Sequence, residues 1–266
     1  ILAKTETIRL APDLSGLTAG EQAAVRDLLE AGQIMQDIYE DQLHHQALVS
    51  RAGLKRKDLV DLYRLFKGPI ATTLDNKREP FLDVDAPVPG RNVYPLDIKK
   101  SELEGHEDLL QERTVVRRAT TENLAVDLAA LERQPALDTL HPDLRPRLET
   151  LGKSPDANTL YAVPYAVAWA DRMVRAHNLI RSAADHVESS DAEFAGYLRN
   201  RARDLLTNDY ESGDASWVTG RFKRLNAQIG SYETYDDALS GVKAFHALSL
   251  LLKNEQATAQ LRKALG

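Results

Sequence analysis

The sequence predicts a mainly α-helical protein with a minor β element. Apolar residues recur at helical spacing through three long stretches, residues 18–43, 165–187 and 190–206. The first of these begins with Thr18-Ala19-Gly20-Glu21, the pattern of a capping box, in which the threonine and glutamate side chains satisfy free backbone amides of the first helical turn. Residues 113–119 form the best strand candidate.

The N-terminal region, residues 1–135, is predicted to contain helices, a long loop and a possible small sheet. The long helix that starts at the capping box ends near His44 and His45, and a second helix covers Arg56 to Phe66. Residues 67–95 contain several prolines and little periodicity, which predicts an extended loop, functional or disordered. Later in this region the sequence has a second capping-box match at Ser101–Glu104, the strand candidate at residues 113–119 and a predicted helix at Asn123–Glu132.

The C-terminal region, residues 136–266, is predicted to be strongly helical after a stretch of turns and short helices that ends at Pro155. The boundary between the two regions is placed among the prolines from Pro135 to Pro155. After it the sequence predicts a helix with one apolar stripe at Tyr165–Val187 and a helix with a capping box at Ser190–Leu206. A polar loop at Asn208–Ser216, an apolar helix at Ala238–Leu252 and a terminal helix from Glu255 onward follow.

Composition excludes several classes of protein. The net charge is −6, whereas a general nucleic-acid binder needs a dense basic surface. The sequence has no cysteine, which excludes disulfides, thiol catalysis and cysteine-ligated metals. No apolar run approaches the roughly 20 residues of a membrane span. Ile1-Leu2-Ala3-Lys4 does not resemble a signal peptide, and the compartment, cytoplasm or periplasm, stays open.

Motifs that commit a chain to a particular reaction are missing from the sequence. It has no glycine-rich phosphate loop and no Gly-x-Ser-x-Gly nucleophile elbow. The His-Glu-x-x-His signature needs two histidines one helical turn apart, and none of the seven histidines meets that spacing. His44 and His45 are adjacent, so on a helix they point about 100° apart and are poorly placed to share an ion. No catalytic residue and no metal ligand is therefore assigned in this chain.

Residues 229–237, Ile-Gly-Ser-Tyr-Glu-Thr-Tyr-Asp-Asp, are the best candidate for a ligand site. Glu233 and Asp237 are four positions apart, so on a helix they share one face. Two carboxylates beside tyrosine hydroxyls suit an ammonium ligand or an acid/base pair. Acidic residues also suit the first turn of a helix, where they interact favourably with its dipole. Both interpretations, ligand binding and helix capping, remain open on spacing alone.

An ordered set of segments extends from about residue 8 to 250: Arg9–Ser15, Leu74–Phe81, Asn92-Val93-Tyr94-Pro95 with Asp97, Tyr197–Trp217, and Ile229-Gly230 with Glu233-Thr234-Tyr235-x-Asp237. In this order the segments resemble the N-terminal half of the dipeptidyl-peptidase III family of zinc metallopeptidases in its bacterial form. The last matches the family's Glu-Ser/Thr-Tyr-x-Asp motif. His246 is a departure, since the family commonly has an acidic residue there.

The resemblance implies a helical lobe that lines one side of an interlobe cleft and holds the amino end of a peptide. It nominates Glu233, Tyr235 and Asp237 as substrate-binding residues, with Asn92 and Tyr94 as weaker candidates. An α-ammonium that leaves water requires carboxylate and hydroxyl partners, which these residue types supply. The alternative is that Glu233 and Asp237 only brace the neighbouring helix and loop.

The resemblance also implies that zinc, expected in a full-length family member, is bound by a His-Glu-x-x-Gly-His helix that lies beyond Gly266. The first hypothesis is the substrate-side part of an exopeptidase that releases dipeptides from peptide N-termini, inactive as an isolated chain. The second hypothesis is a stand-alone, non-catalytic module that binds peptides or a partner protein. The expected partners are a short peptide and either the missing catalytic lobe or a second copy of the chain.

Overall fold

A computed structural model describes residues 1–265 and confirms the mainly α class with a minor β element. The helices in this range are α1 (Ala19–Leu43), α2 (Ala47–Ala52), α3 (Lys57–Phe66), α4 (Thr121–Arg133), α5 (Pro135–Leu140), α6 (Leu144–Gly152), α7 (Tyr165–Ala168), α8 (Ala170–Val187), α9 (Ala192–Thr207), α10 (Glu211–Thr219) and α11 (Glu255–Leu265). Short 3₁₀ turns lie at Leu2–Lys4, Lys100–Glu102, Glu107–Leu109 and Thr234–Asp236.

The β structure consists of short antiparallel hairpins and ladders. The strands are β1 (Ile70–Thr72), β2 (Arg78–Pro80), β3 (Thr114–Ala119), β4 (Asp156–Pro164), β5 (Leu225–Ser231) and β6 (His246–Leu252). They pair as β1 with β2, β3 with β4, and β5 with β6. The strand predicted at residues 113–119 is therefore confirmed as β3, and its register runs from Thr114 opposite Pro164.

Helix α1 lies at the centre of the hydrophobic core. It packs against α8, which packs against α9, and it also contacts strand β6 and helix α2. Gly32 permits the approach of β6, because a Cβ atom there would lie 3.3 Å from Cδ2 of Leu248. The core includes Leu28 of α1 and Ile180 of α8, so the segments on both sides of residue 135 contribute to one cluster of buried side chains.

The N-terminus of α1 has the capping box that the sequence predicts. The Thr18 side chain accepts a hydrogen bond from the Glu21 amide, and the Glu21 carboxylate accepts one from the Thr18 amide. The box predicted at Ser190 is wrong in its position, since Asp191 caps α9 by accepting a bond from the Phe194 amide. At Ser101 the chain forms only a 3₁₀ turn, in which Glu102 binds the Lys99 amide.

The helix predicted at Ala238–Leu252 is wrong. Residues 237–245 form a loop, and His246–Leu252 form strand β6, which pairs along its length with β5. A short run of leucines fits a buried strand as well as a helix, and only tertiary partners decide between them. Here β5 supplies the backbone partners, and α1 covers one face of the pair.

The polar loop predicted at Asn208–Ser216 is also wrong, because residues 211–219 form helix α10. Glycine, serine and aspartate lower the intrinsic helix propensity of this segment. Packing on α9 supplies the missing stability, including an ion pair of 2.6 Å between Arg201 and Asp214.

Neither of the two adjacent histidines lies within α1, which ends next to them. The helix ends at Leu43, and His44 has an extended backbone conformation. The two imidazole rings stack with centroids 4.8 Å apart, and both contact Asp85.

No helix within residues 1–265 is long and apolar enough to cross a membrane.

Candidate functional site

The segment from Tyr232 to Phe245 connects β5 to β6 and contains three of the five residues predicted to bind substrate. It leaves β5 at Ser231, makes the 3₁₀ turn Thr234–Asp236 and returns to β6 at His246. Glu233 and Asp237 flank this turn, so they do not lie together on a helix face.

Asp237 is buried, and its carboxylate organises this loop. Its oxygens accept hydrogen bonds of 2.9–3.0 Å from four backbone amides, at Leu239, Ser240, Val242 and Lys243. Burial tends to raise the pKa of Asp237, but bonds from the backbone of Lys243 and Ser240 outweigh this effect and lower it. The carboxylate is thus ionised and occupied by protein donors.

Tyr94 joins this arrangement from a distant part of the chain. Its hydroxyl group donates to Asp237 Oδ2 over 2.9 Å and lies 2.6 Å from the Ser240 hydroxyl. Burial, followed by the charge of Asp237, raises the pKa of Tyr94, so the hydroxyl stays protonated and remains a donor. The structure therefore brings Tyr94 and Asp237 into direct contact.

Lys243 attaches the loop to the start of β3. Its side chain is fully buried, and Nζ donates hydrogen bonds of 2.5–2.8 Å to Leu109 O, Gln111 O and Thr114 Oγ1. Burial lowers the pKa of Lys243 to about 7, in spite of the nearby Asp237 charge. The loop is thus fixed at two buried points.

Asn92 and Glu233 do not line a common cavity. Its side-chain amide donates to Asp41 O over 2.9 Å, and its backbone amide donates to Gln42 O. Asn92 and Tyr94 line an open cleft of about 680 Å³, whereas Glu233 and Tyr235 do not line it. Asn92 and Tyr94 therefore line a different cavity from Glu233 and Tyr235, and Asp237 lines none of these cavities.

Glu233 lies at the boundary between two neighbouring cavities. We name them the aromatic cavity, of about 410 Å³, and the polar cavity, of about 240 Å³. Glu233 lines both, as do Ala247 and Ser249 of β6. Within residues 1–265 the Glu233 carboxylate forms no ion pair. Tyr235 lines the polar cavity, is 79% exposed, and interaction with Glu233 raises its pKa to about 12.

Four secondary-structure elements build the aromatic cavity. Tyr197 and Arg201 are one turn apart on α9, and Trp217 and Val218 are adjacent on α10. Side chains alternate on a strand, so residues two apart on β5 and on β6 reach the same face. The residues that line the cavity are Tyr197, Arg201, Asp214, Trp217, Val218, Gln228, Ile229, Gly230, Tyr232, Glu233, Ala247 and Ser249.

The aromatic walls are held by hydrogen bonds at their polar ends. The Tyr197 hydroxyl donates to Ala227 O over 2.7 Å, and the Trp217 indole N–H donates to Asn226 Oδ1 over 3.0 Å. The Tyr232 hydroxyl donates to Asp214 Oδ1. Because the polar tips are satisfied by the protein, the rings offer the cavity mainly their apolar surfaces.

Gly230 is required at the floor of this cavity. Its φ of +146° is in a region that favours glycine, and a Cβ there would lie 2.6 Å from the Tyr210 ring and 2.8 Å from the Tyr232 ring. The two rings meet edge to face with centroids 5.7 Å apart. A side chain at position 230 would therefore displace the wall.

The charge beneath the aromatic cavity is balanced within the protein. Arg201 is buried and pairs with Asp214 at 2.6 Å and with Asp204 at 3.2 Å, and Arg203 pairs with Asp204 at 3.5 Å, so two cations face two carboxylates. Burial raises the pKa of Asp204 to about 6, so this carboxylate is mostly ionised at neutral pH. Burial also acts to raise the pKa of Asp214, but bonds from Tyr232 and Arg201 keep it below its usual value. Glu233 therefore leaves the mouth of the cavity negative.

The polar cavity lies along the free edge of β6. The backbone amide of Tyr232 donates to Phe245 O, and that of Lys253 donates to Arg224 O. With the register of the two strands, these bonds fix which alternate residues of β6 direct their backbone amide and carbonyl groups towards β5. By that alternation, the amides of Leu248 and Leu250 point away from β5, and they have no backbone partner in the described chain. The cavity is lined by Gly32, Gln36, Tyr39, Lys67, Glu233, Tyr235, His246, Ala247, Leu248 and Ser249.

Sequence analysis missed the walls of both cavities. Tyr197 and Arg201 have the four-residue spacing that places side chains on one helix face, and this signal was present in the sequence. Trp217 and Ser249 could not be placed, because the segments that carry them were predicted as a loop and a helix. No group of three or more side chains suited to a metal ion occurs in residues 1–265.

These features define a mainly helical protein in which β5, β6 and the loop between them carry two cavities that meet at the Glu233 carboxylate. Its fold is that of part of the dipeptidyl-peptidase III structures. The chain is similar to the enzyme from Caldithrix abyssi, with a TM-score of 0.73 and 23% identity over 95% of this chain. It is similar to the dipeptidyl-peptidase III from Corallococcus sp. strain EGB, with a TM-score of 0.75 and 22% identity over 98% of this chain.

The chain spans less than half of each protein that it resembles. It covers 43% and 44% of the two solved chains. A curated relative, "Nudix hydrolase 3" from Arabidopsis thaliana, is 25% identical over 307 aligned residues, which cover 98% of this chain and 37% of that protein. No protein-family profile matches the sequence. The resemblance predicted from the motifs is thus confirmed at the level of the fold.

Proposed function

We propose that this chain is the substrate-binding, N-terminal part of a dipeptidyl-peptidase III-like exopeptidase, and that it captures the free amino end of a short peptide. The observation that carries this proposal is the position of Glu233. Its carboxylate lies between two cavities and forms no ion pair with any residue in the described range. A half-buried carboxylate without an ion-pair partner attracts an ammonium group.

The remaining predicted residues take different parts in this proposal. Tyr235, exposed beside Glu233, supplies a second oxygen at the rim. Tyr94 and Asp237 support the loop that carries Glu233, since their polar atoms are already engaged with each other. Asn92 fixes the end of α1 through Asp41, and it can reach a peptide only through the separate 680 Å³ cleft.

The proposal assigns no metal chemistry to these residues. The described part of the chain lacks a group of three metal-type ligands, so its residues do not fit a zinc site. We propose that zinc, and the chemical step of peptide cleavage, belong to residues outside the 266 of this sequence. Residues of this chain line both cavities, which also supports the second hypothesis, a module that binds peptides without cleaving them.

Calorimetric titration tests the proposed capture of an amino end. One tripeptide is titrated in its free form and in its N-acetylated form, which lacks the ammonium charge. We expect acetylation to weaken binding to the wild-type chain at least tenfold. Glu233→Gln should remove this difference. Glu211→Gln, a matched change at an exposed glutamate on α10 that does not line either cavity, should keep it.

Equal affinities of the free and acetylated peptides for the wild-type chain would overturn the proposal. So would a Glu233→Gln variant that still distinguishes the two peptides. Urea unfolding of the same variant supplies the check on structure: a ligand-binding Glu233 leaves the free energy of unfolding nearly unchanged, whereas a bracing residue does not.

A further inference from the structure

Asp85 is bound by three consecutive residues that follow α1. Nε2 of His44 lies 3.1 Å from Asp85 O, and Nε2 of His45 lies 3.0 Å from Asp85 Oδ2. The backbone amide of Asp85 also donates to Gln46 Oε1 over 2.8 Å. One residue of the long loop is thus joined to the end of α1 by its amide, its carbonyl group and its carboxylate.

Residues 82–90, which we name the strap, have few other attachments. Within the part of the chain that the structure describes, every hydrogen bond from the strap to another element is made by Asp85. The strap continues into Arg91, which is buried and whose Nε donates to Asp236 O over 3.2 Å. The strap and the end of α1 border a cavity of about 180 Å³, lined by Leu43, His44, His45, Asp85, Ala86, Val88, Arg91 and Leu96. Asp85 is therefore the point at which the strap is fastened.

The hydrogen bonds of His44 fix the protonation of its ring. Nδ1 accepts from the backbone amide of Gln46 over 3.2 Å, so this nitrogen carries no proton. Nε2 then carries the single proton of the ring and donates it to Asp85 O. A second proton on Nδ1 would point at the Gln46 amide, which is itself a donor. The fastened strap therefore fits a neutral His44 and does not fit a charged one.

We propose that His44 and Asp85 form a pH-operated fastening, which is closed while His44 is neutral and opens when His44 takes up a proton. Opening exposes the ring to water, where the pKa of histidine is about 6.5. Below this pH the open strap binds a proton that the closed strap does not, so acidification shifts the equilibrium towards the open strap. The stability of the closed strap is retained above this pH and lost progressively below it.

The groups around His44 oppose its charge when the strap is closed. Burial is the main factor that lowers the pKa of His44, and repulsion from His45 and Arg91 acts in the same direction. The bond to Asp85 O and the charge of Asp85 act in the opposite direction but do not outweigh burial. The rings of His44 and His45 are stacked within 18° of parallel, so a charge on one opposes a charge on the other.

His45 has a different part, because a second proton on its ring does not break its contact. Its Nε2–H group can donate to the Asp85 carboxylate whether the ring is neutral or charged. His44, in contrast, loses the bond from the Gln46 amide as soon as Nδ1 is protonated. The effects of the two histidines can therefore be separated by replacing them one at a time.

Spin labelling measures the mobility of the strap directly. The chain has no cysteine, so Asp83→Cys places a single label on an exposed residue of the strap. We expect the mobile fraction of its electron paramagnetic resonance spectrum to rise about threefold or more from pH 7.5 to pH 5. A label introduced by Val218→Cys, at a residue that is 75% exposed on α10, should give the same spectrum at both pH values.

Replacement of each histidine in the Asp83→Cys chain identifies the residue that responds to pH. His44→Gln should remove the rise in mobility, because glutamine does not titrate. His45→Gln should keep the rise, since His44 remains. His106→Gln is the matched control and should also keep it, because the His106 side chain is 60% exposed and lies outside the strap and its cavity.

Three results would overturn the inference. They are equal spectra of the strap label at the two pH values, a rise in mobility that persists in His44→Gln, and a rise that disappears in His45→Gln alone. A simultaneous change at the Val218→Cys label would show that acid loosens the fold as a whole, and a local fastening would then be excluded as well.

Discussion

The hydroxyl group of Tyr94 donates a hydrogen bond of 2.9 Å to Oδ2 of Asp237, which is 143 positions further along the chain. Both side chains are buried. The bond connects the end of the long loop predicted at residues 67–95 to the turn next to Glu233. The position of the candidate ligand-binding carboxylate thus depends on a pair of residues that are themselves shielded from solvent.

Replacement of Asp237 by alanine is expected to destabilise the protein strongly. The change removes the acceptor of four backbone amides, and the backbone amide of the buried Lys243 is then left without a partner. We expect a loss of about 2–4 kcal/mol in the free energy of unfolding, measured by urea titration. Tyr94→Phe removes one hydroxyl and should cost about 1 kcal/mol.

Glu233→Gln provides the contrast to Asp237→Ala in the same titration. Glu233 forms no ion pair within the described residues, so its replacement should change the free energy of unfolding by less than about 0.5 kcal/mol. Equal urea midpoints for wild type and Asp237→Ala would show that the hydrogen bonds around Asp237 do not stabilise the loop.

The sequence identified this region but not its geometry. Glu233, Tyr235 and Asp237 were predicted as one set from a local motif and a resemblance. Asp237 is separated from the other two by burial, and its partner Tyr94 is remote in sequence. Spacing along the chain cannot distinguish a solvent-facing carboxylate from one that holds a loop together, because the difference arises from contacts made across the fold.

His246 makes the stability of the protein dependent on pH. Complete burial, with the nearby charge of Arg113, lowers the pKa of His246 to about 3. The ring is held by Gln42 Oε1 at 3.0 Å and packs against Tyr165 and Trp169. In the unfolded chain the pKa of histidine is about 6.5. Between these two values the unfolded state binds the extra proton, so stability rises with pH and falls on acidification.

Replacement of His246 by glutamine should weaken this dependence. From pH 7 to pH 5 the wild type should lose on the order of 2 kcal/mol more of its free energy of unfolding than the variant does. Urea titrations at the two pH values measure this difference. His106→Gln is the matched control, since the His106 side chain is 60% exposed. This variant should lose as much free energy of unfolding between the two pH values as the wild type does. A His246→Gln variant with the wild-type pH slope would contradict the assignment of a neutral His246.

Local signals predicted the helices well, and long-range contacts account for the failures. Thr18 and Glu21 are three residues apart, so their reciprocal bonds could be read directly from the sequence. The strand β6 could not be predicted, because the loop before it is fixed by Lys243 to carbonyl groups more than 130 positions away. The walls of the aromatic cavity were missed for the same reason, since two of their elements were assigned to the wrong class.

Glycine at position 213 allows α10 to lie close to α9. A Cβ atom there would be 1.9 Å from Oδ2 of the buried Asp204 and 2.9 Å from Cζ of Arg201. Gly213→Ala should therefore push α10 away and cost about 1–3 kcal/mol in the free energy of unfolding. The same displacement moves Asp214, Trp217 and Val218, which form the α10 wall of the aromatic cavity.

Gly196→Ala is the matched control for Gly213→Ala, because it makes the same change within α9 where no atom lies within 4 Å of the added Cβ. Alanine is the better helix former, so this variant should gain up to about 1 kcal/mol in the free energy of unfolding. Urea titration of the two variants should thus show shifts of opposite sign. If both variants were stabilised, the close contact of α10 with Asp204 and Arg201 would not limit the residue at position 213, and the aromatic cavity would tolerate movement of its α10 wall.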